Sequence, residues 1–147
     1  MRPVQTAYFD TAGGWVGVAA TSVGLVALNL PVSTREAAVA EIERLLPADC
    51  TEVGELTGSP FDAAALARLG TDLVRYFQGQ KVEFDCPIDW EGCAYTPFQE
   101  KALRACHQVG YGEAVTYGDL ARSIGHPKAS RAIGMAMHIN RVSLVVP

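Results

Sequence analysis

The sequence predicts an α+β fold: a small antiparallel sheet with two helices, then a helical unit containing a helix-turn-helix. Three observations predict it. Apolar runs rich in Val, Leu and aromatics, separated by turn residues, fill the first thirty positions. The apolar period then switches to the helical one. From residue 96 onward, short helical stretches are punctuated by glycine, proline and capping residues.

Residues 4–9, 15–20 and 23–30 are the strand candidates, and Ala12-Gly13-Gly14 and Thr21-Ser22 are the turns between them. Ser33 with Glu36 forms a capping-box pattern, after which Val39, Ile42, Leu45 and Leu46 recur at helical spacing until Pro47. A second helix is expected over 61–78, with Leu66, Leu69, Leu73 and Phe77 on one face and Gly79 at its end. Residues 80–95 read as a connector with a short strand at 82–84. The first domain accordingly spans 1–90 and the second 91–147.

The second domain opens with Thr96-Pro97-Phe98-Gln99, which supplies an N-cap, a proline at the first helical position and a capping glutamine. This helix is expected to reach His107. Thr116 and Asp119 form another capping box, opening a short helix that ends at Gly125. A third helix is expected over 128–137, and 142–146 reads as a buried strand. Two short helices joined by a glycine-containing turn suggest a helix-turn-helix whose second helix is the recognition element.

The 147 residues are 49% apolar and 19% charged, which excludes a disordered or collagen-like chain. The net charge of −4 argues against a nucleic-acid binder when taken whole. The charge is divided unevenly, however. Residues 1–95 carry six basic and thirteen acidic side chains, a net of −7. Residues 96–147 carry six basic and three acidic ones, a net of +3, together with His107, His126 and His138. Such asymmetry is expected either of a polyanion-binding part beside an ordinary scaffold or of chance clustering of charge on solvated faces. No apolar run approaches the roughly 20 residues of a membrane helix, and no apolar region of an export signal follows Arg2. No membrane partner and a cytoplasmic location are therefore expected. Cys50, Cys86, Cys93 and Cys106 match no zinc spacing and are expected to be free thiols, with no metal and no cofactor. Cys106 and His107 point about 100° apart on a helix. Cys106 shares a face with Phe98 and Leu103 and is expected to be a buried structural thiol.

Residues 96–147 carry a series of blocks in order: Thr96-Pro97-Phe98-Gln99, Tyr111-Gly112-Glu113, Thr116-Tyr117-Gly118-Asp119-Leu120-Ala121, Gly125-His126-Pro127-Lys128-Ala129, Arg131-Ala132-Ile133-Gly134 and Asn140. Over about 50 residues this segment closely resembles the C-terminal domain of the O6-alkylguanine-DNA alkyltransferases, the methylated-DNA–protein-cysteine methyltransferases. The connector with Tyr76-Phe77, Phe84, Pro87 and Asp89 is also similar to theirs. The resemblance implies a ribonuclease H-like N-terminal sheet. It also implies single-turnover DNA repair, in which a cysteine takes the alkyl group from O6-alkylguanine, or O4-alkylthymine, after base flipping. The family's nucleophile lies in a Pro-Cys-His-Arg motif whose proline matches Pro147. The cysteine is thus expected directly after Pro147, and the 147 residues are expected to be inactive by themselves. Alkyltransferase-like proteins, which keep the fold and bind lesions without chemistry, are the alternative reading. A generic helix-turn-helix regulator reading the major groove is a third.

The resemblance also implies roles. Arg131 is the finger that replaces the extruded base, its planar cation suited to stacking. Tyr117 packs on the DNA backbone and turns the phosphate of the flipped nucleotide. Asn140 tethers the recognition helix to the active-site strand, and Tyr117 and Asn140 support the active site. Gly134 and Ala132 let the helix approach the sugar–phosphate surface closely. Lys128, Arg122 and Arg141 are phosphate-contact candidates, with Lys128 foremost. Many family members have proline after the asparagine, where this chain has Arg141. The implied partner is double-stranded DNA containing O6-alkylguanine, bound through the minor groove by a monomer.

Overall fold

A computed structural model describes residues 2–53, 62–109, 114–142, 144 and 145. Strands β1 (Arg2–Thr11), β2 (Gly14–Ala20) and β3 (Leu25–Leu28) form an antiparallel meander, as the turn residues predict. The first turn closes when Thr11 Oγ1 donates to the Gly14 carbonyl at 2.6 Å, with Gly14 at φ +127°. Only glycine adopts that conformation without strain. Helix α1 (Arg35–Leu45) packs on β2. Its cap is Thr34, not Ser33: Thr34 Oγ1 accepts from the Ala37 N–H at 3.0 Å. Val32 is paired with Trp15 on both sides of its peptide, which keeps the chain extended and starts the helix one residue later. Glu36 therefore misses the third helical position, and the expected capping box does not form.

Strand β4 (Cys50–Glu52) pairs parallel with β1, so the sheet is mixed, with order β3-β2-β1-β4. Helix α2 (Ala63–Phe77) follows, capped by Asp62, and lies against β1. The predicted start of this helix at Phe61 lies outside the described residues. The short strand expected at 82–84 is absent. The connector instead meets the sheet at 87–89, where the Leu25 N–H donates to the Pro87 carbonyl and the Asp89 N–H to the Leu25 carbonyl, both at 2.9 Å. Asp89 then closes a buried turn, its carboxylate accepting from Thr21 Oγ1 at 2.6 Å and from the Gly92 N–H at 2.9 Å.

Helices α3 (Pro97–His107), α4 (Tyr117–Ser123) and α5 (Ser130–His138) pack on one another. Thr96 with Gln99 and Thr116 with Asp119 both form complete capping boxes. The strand expected over 142–146 does not run through. Val142 makes one parallel bridge to Leu28, then Leu144 takes φ +71°, a left-handed conformation that cannot continue a ladder. Ser143, Val146 and Pro147 lie outside the described residues. One buried cluster runs from Val4, Leu28, Ile42 and Leu73 into Leu103, Ile133 and Val142, so sheet and helical unit share a core. Among the described residues, no helix is long and apolar enough to cross a membrane.

Candidate nucleic-acid interface

The helical unit is built so that α3 carries the other two helices. Ala102, Leu103 and Cys106 form its buried face, sharing one cluster with Leu120 and Ala121 of α4, Ile124 at the end of that helix, and Ile133 and Ala136 of α5. Phe98, at the start of α3, meets the His126 ring edge-on at 5.5 Å between centroids. The turn between α4 and α5 passes through Gly125 at φ +81°, and the His126 N–H donates back to the Ala121 carbonyl at 2.8 Å.

With Ile133 and Ala136 buried, the opposite side of α5 faces outward. Arg131, Met135 and His138 occupy that side at helical spacing, and all are exposed. Lys128, just before the helix, is also exposed. Neither Lys128 nor Arg131 forms an ion pair with a described residue. No side chain caps α5, so its first backbone N–H groups are open to an anion. The Tyr117 ring is half exposed and lies against α5 at Gly134. A Cβ on residue 134 would sit 3.3 Å from Tyr117 Cε2, so the missing side chain is what lets the ring close on the helix. Tyr117, Gly134, Arg131 and Lys128 thus belong to one outward surface.

Asn140 stands where α5 ends. Its Oδ1 accepts from the Val142 N–H at 3.0 Å, joining the helix end to the segment after it. Arg122 is an exposed partner of Asp119 on α4. Arg141 does not have the free side chain that a phosphate contact requires. Its Nη1 donates to the Leu45 carbonyl at 2.6 Å and its Nε to the Cys93 carbonyl at 2.9 Å. Its backbone N–H donates to Tyr95 Oη at 2.8 Å, and its guanidinium lies 5.9 Å from the Tyr95 ring centroid. The guanidinium is engaged between the end of α1 and the turn before α3. No local pattern announces this, because Leu45 and Arg141 are 96 residues apart.

All four cysteines are free. Burial pushes the thiols of Cys86 and Cys93 up to about 12, and it raises those of Cys50 and Cys106 as well. None is a ready thiolate. Cys106 is buried in the α3 face, as expected. His107 turns elsewhere. Its Nδ1 is 2.8 Å from the Val145 carbonyl, which only accepts, so that nitrogen carries the proton. No cluster of three metal-ligating side chains occurs among the described residues. A cleft of about 840 Å³ opens between Asn29–Val32, α1 and the end of α5. Of Asn140, Tyr117, Arg131, Lys128 and Gly134, only Asn140 lines it.

Residues 97–147 match the family model described as 6-O-methylguanine DNA methyltransferase, DNA binding domain. A methylated-DNA–protein-cysteine methyltransferase of Methanosarcina acetivorans is 43% identical over 75 residues, which cover 51% of this chain and 46% of that protein. The constitutive Bacillus subtilis enzyme of the same name is 39% identical over 82 residues, covering 56% and 48%. The chain thus aligns with about half the length of these curated relatives. Among solved structures, the Mycobacterium tuberculosis O6-methylguanine methyltransferase superposes with a TM-score of 0.67 at 26% identity, over 98% of this chain and 75% of that one. Mycobacterium tuberculosis OGT in complex with DNA superposes with a TM-score of 0.66 at 27% identity, over 99% and 74%. Residues 97–147 are therefore similar to the DNA-binding domain of the 6-O-methylguanine DNA methyltransferases, and the chain shares the fold of their solved structures.

Proposed function

We propose that this chain acts in DNA repair on double-stranded DNA containing O6-alkylguanine. The reading is carried by one observation: Arg131 on α5 and Lys128 just before it are exposed, without carboxylate partners among the described residues, on the side where Gly134 admits the Tyr117 ring. Arg131 enters the duplex in place of the flipped base, Tyr117 presses on the backbone at the flipped nucleotide, and Lys128 contacts phosphate. The approach is through the minor groove, where small residues such as Gly134 let the helix come close. The protein binds as a monomer, with residues 1–90 as an acidic scaffold and 91–147 facing DNA, in the cytosol or nucleoid of a bacterial cell or in the nucleus of a eukaryotic one.

Transfer requires a thiolate. Its sulfur bonds to the alkyl carbon, the bond from that carbon to O6 breaks with its electron pair passing to the base, and the guanine, still attached to the DNA, takes up a proton at N1. Cys50, Cys86, Cys93 and Cys106 are poorly suited to supply that thiolate, because burial raises each of their thiols. The acceptor is a cysteine at the position after Pro147. The raised thiols also favour a second reading for these 147 residues by themselves: lesion binding without transfer.

Intact mass after incubation with an oligonucleotide containing O6-benzylguanine tests both readings. A single benzyl gain on the product of the whole gene, mapped to the position after Pro147, supports transfer. Lesion binding with no gain supports the second reading. A benzyl group on Cys50, Cys86, Cys93 or Cys106 overturns the assignment of the acceptor.

A further inference from the structure

Met135 has no part in the function proposed above, yet its placement is unusual. It is 65% exposed, more than Val23, Leu30, Val115 or Tyr117, the other exposed large apolar side chains among the described residues. Three of these five, Val115, Tyr117 and Met135, lie in the helical unit with the positive net charge. Met135 is one turn from Arg131 on the outward side of α5, about 6 Å along the axis. It directly follows Gly134, the residue against the Tyr117 ring. α5 itself contains no acidic residue. An apolar side chain beside cations that have no ion-pair partner among the described residues is well placed for a groove with negatively charged rims and apolar sugar walls.

We propose that Met135 is an apolar wedge that enters the minor groove of duplex DNA beside Arg131. Side chains of this class insert at base steps and partly unstack them. Methionine is unbranched and polarizable, so it fits whichever step it meets. Met135 thus adds a contact that does not depend on phosphate charge and makes the neighbouring base easier to flip. The inference rests on the DNA-binding reading above, and the test separates the two.

The 147-residue chain is titrated by fluorescence anisotropy with a duplex containing one O6-methylguanine, from roughly 50 to 200 mM salt. Met135→Ala is expected to weaken binding about fivefold at every salt concentration, leaving the slope of log affinity against log salt unchanged. Met135→Gln keeps the length and helix compatibility but not the apolar end, and is expected to weaken binding equally. Met135→Leu is expected to restore it. Lys128→Ala, by contrast, lowers the slope by about one. A 2-aminopurine beside the lesion is expected to brighten with the wild type and less with Met135→Ala. If the wild type binds and both Met135→Ala and Met135→Gln bind as tightly, Met135 is not in the groove and the DNA reading stands. If the wild type does not bind the duplex at all, the DNA reading fails and the wedge fails with it.

Discussion

Arg131 and Arg141 are ten positions apart, and their surroundings give them opposite work. Arg131 is exposed on α5 and has no ion-pair partner among the described residues, so its guanidinium is available to a ligand. Removing it should cost about 1–3 kcal/mol of lesion-duplex affinity. Arg131→Lys keeps the charge but not the planar stacking surface. It is expected to keep the salt slope of the wild type while losing most of the preference for lesion over undamaged duplex. Equal preference in wild type and Arg131→Lys would remove the finger role. The thiols give a second prediction at this scale. With Cys86 and Cys93 pushed up to about 12 by burial, both stay protonated at neutral pH. Labelling of the native chain by a thiol reagent at pH 7 should be slow at both. Denaturant should accelerate it strongly, as a mass spectrum over time would record. Fast labelling of either in the native state contradicts the burial assigned to it.

Helix α4 is only seven residues long, so its capping box weighs heavily in whether it forms. Thr116→Ala should cost about 1 kcal/mol in denaturant unfolding. The other half of the box is pH-sensitive. The Asp119 carboxyl is held below its ordinary 3.8, first by the Thr116 backbone N–H, then by the Thr116 hydroxyl and Arg122. A lowered folded value means that this contribution is fully present above about 4 and is lost as the pH falls through the lower value. Asp119→Asn should therefore flatten part of the acid side of the stability curve, measured by thermal midpoints between about pH 2 and 6. Equal acid limbs in both proteins would show that the box does not titrate. Both boxes in the helical unit were legible in the sequence, since Thr96-Gln99 and Thr116-Asp119 are local signals with no competitor nearby. Ser33 misled by one residue because Val32 is held by Trp15, a partner the local pattern does not contain. β4 escaped notice because Cys50-Thr51-Glu52 is short and polar, and its partner β1 lies nearly fifty residues away. The expectations at 82–84 and 142–146 followed apolar content. Ladder hydrogen bonds instead formed at 87–89, and the left-handed Leu144 ended the second run.

Over the whole molecule, an acidic sheet of net −7 stands behind a helical unit of net +3, and the two share one buried cluster. On the proposed reading, repulsion between the acidic part and DNA, together with the cations of Arg131 and Lys128, would set which side approaches the duplex. Orientation of this kind is useful only if the two parts move together. Arg141 joins them, through the Leu45 carbonyl at the end of α1 and the Cys93 carbonyl before α3. A proline, which many proteins of the resembled family carry at this position, could make neither bond. The sequence showed that Arg141 departs from the family pattern but not where its side chain goes. Arg141→Ala should destabilise the chain by about 2 kcal/mol. Arg141→Lys should not restore it, because one ammonium is a point donor without the guanidinium fork that reaches both carbonyls. The two tryptophans separate the parts: Trp15 lies in β2, and Trp90 stacks near Tyr95, His107 and Arg104. In urea, with Trp15→Phe and Trp90→Phe isolating each signal, the two transitions should coincide in the parent. They should separate once Arg141 is replaced by alanine, with Trp90 changing first. Coincident transitions in the Arg141→Ala background would mean that the shared core alone couples sheet and helices.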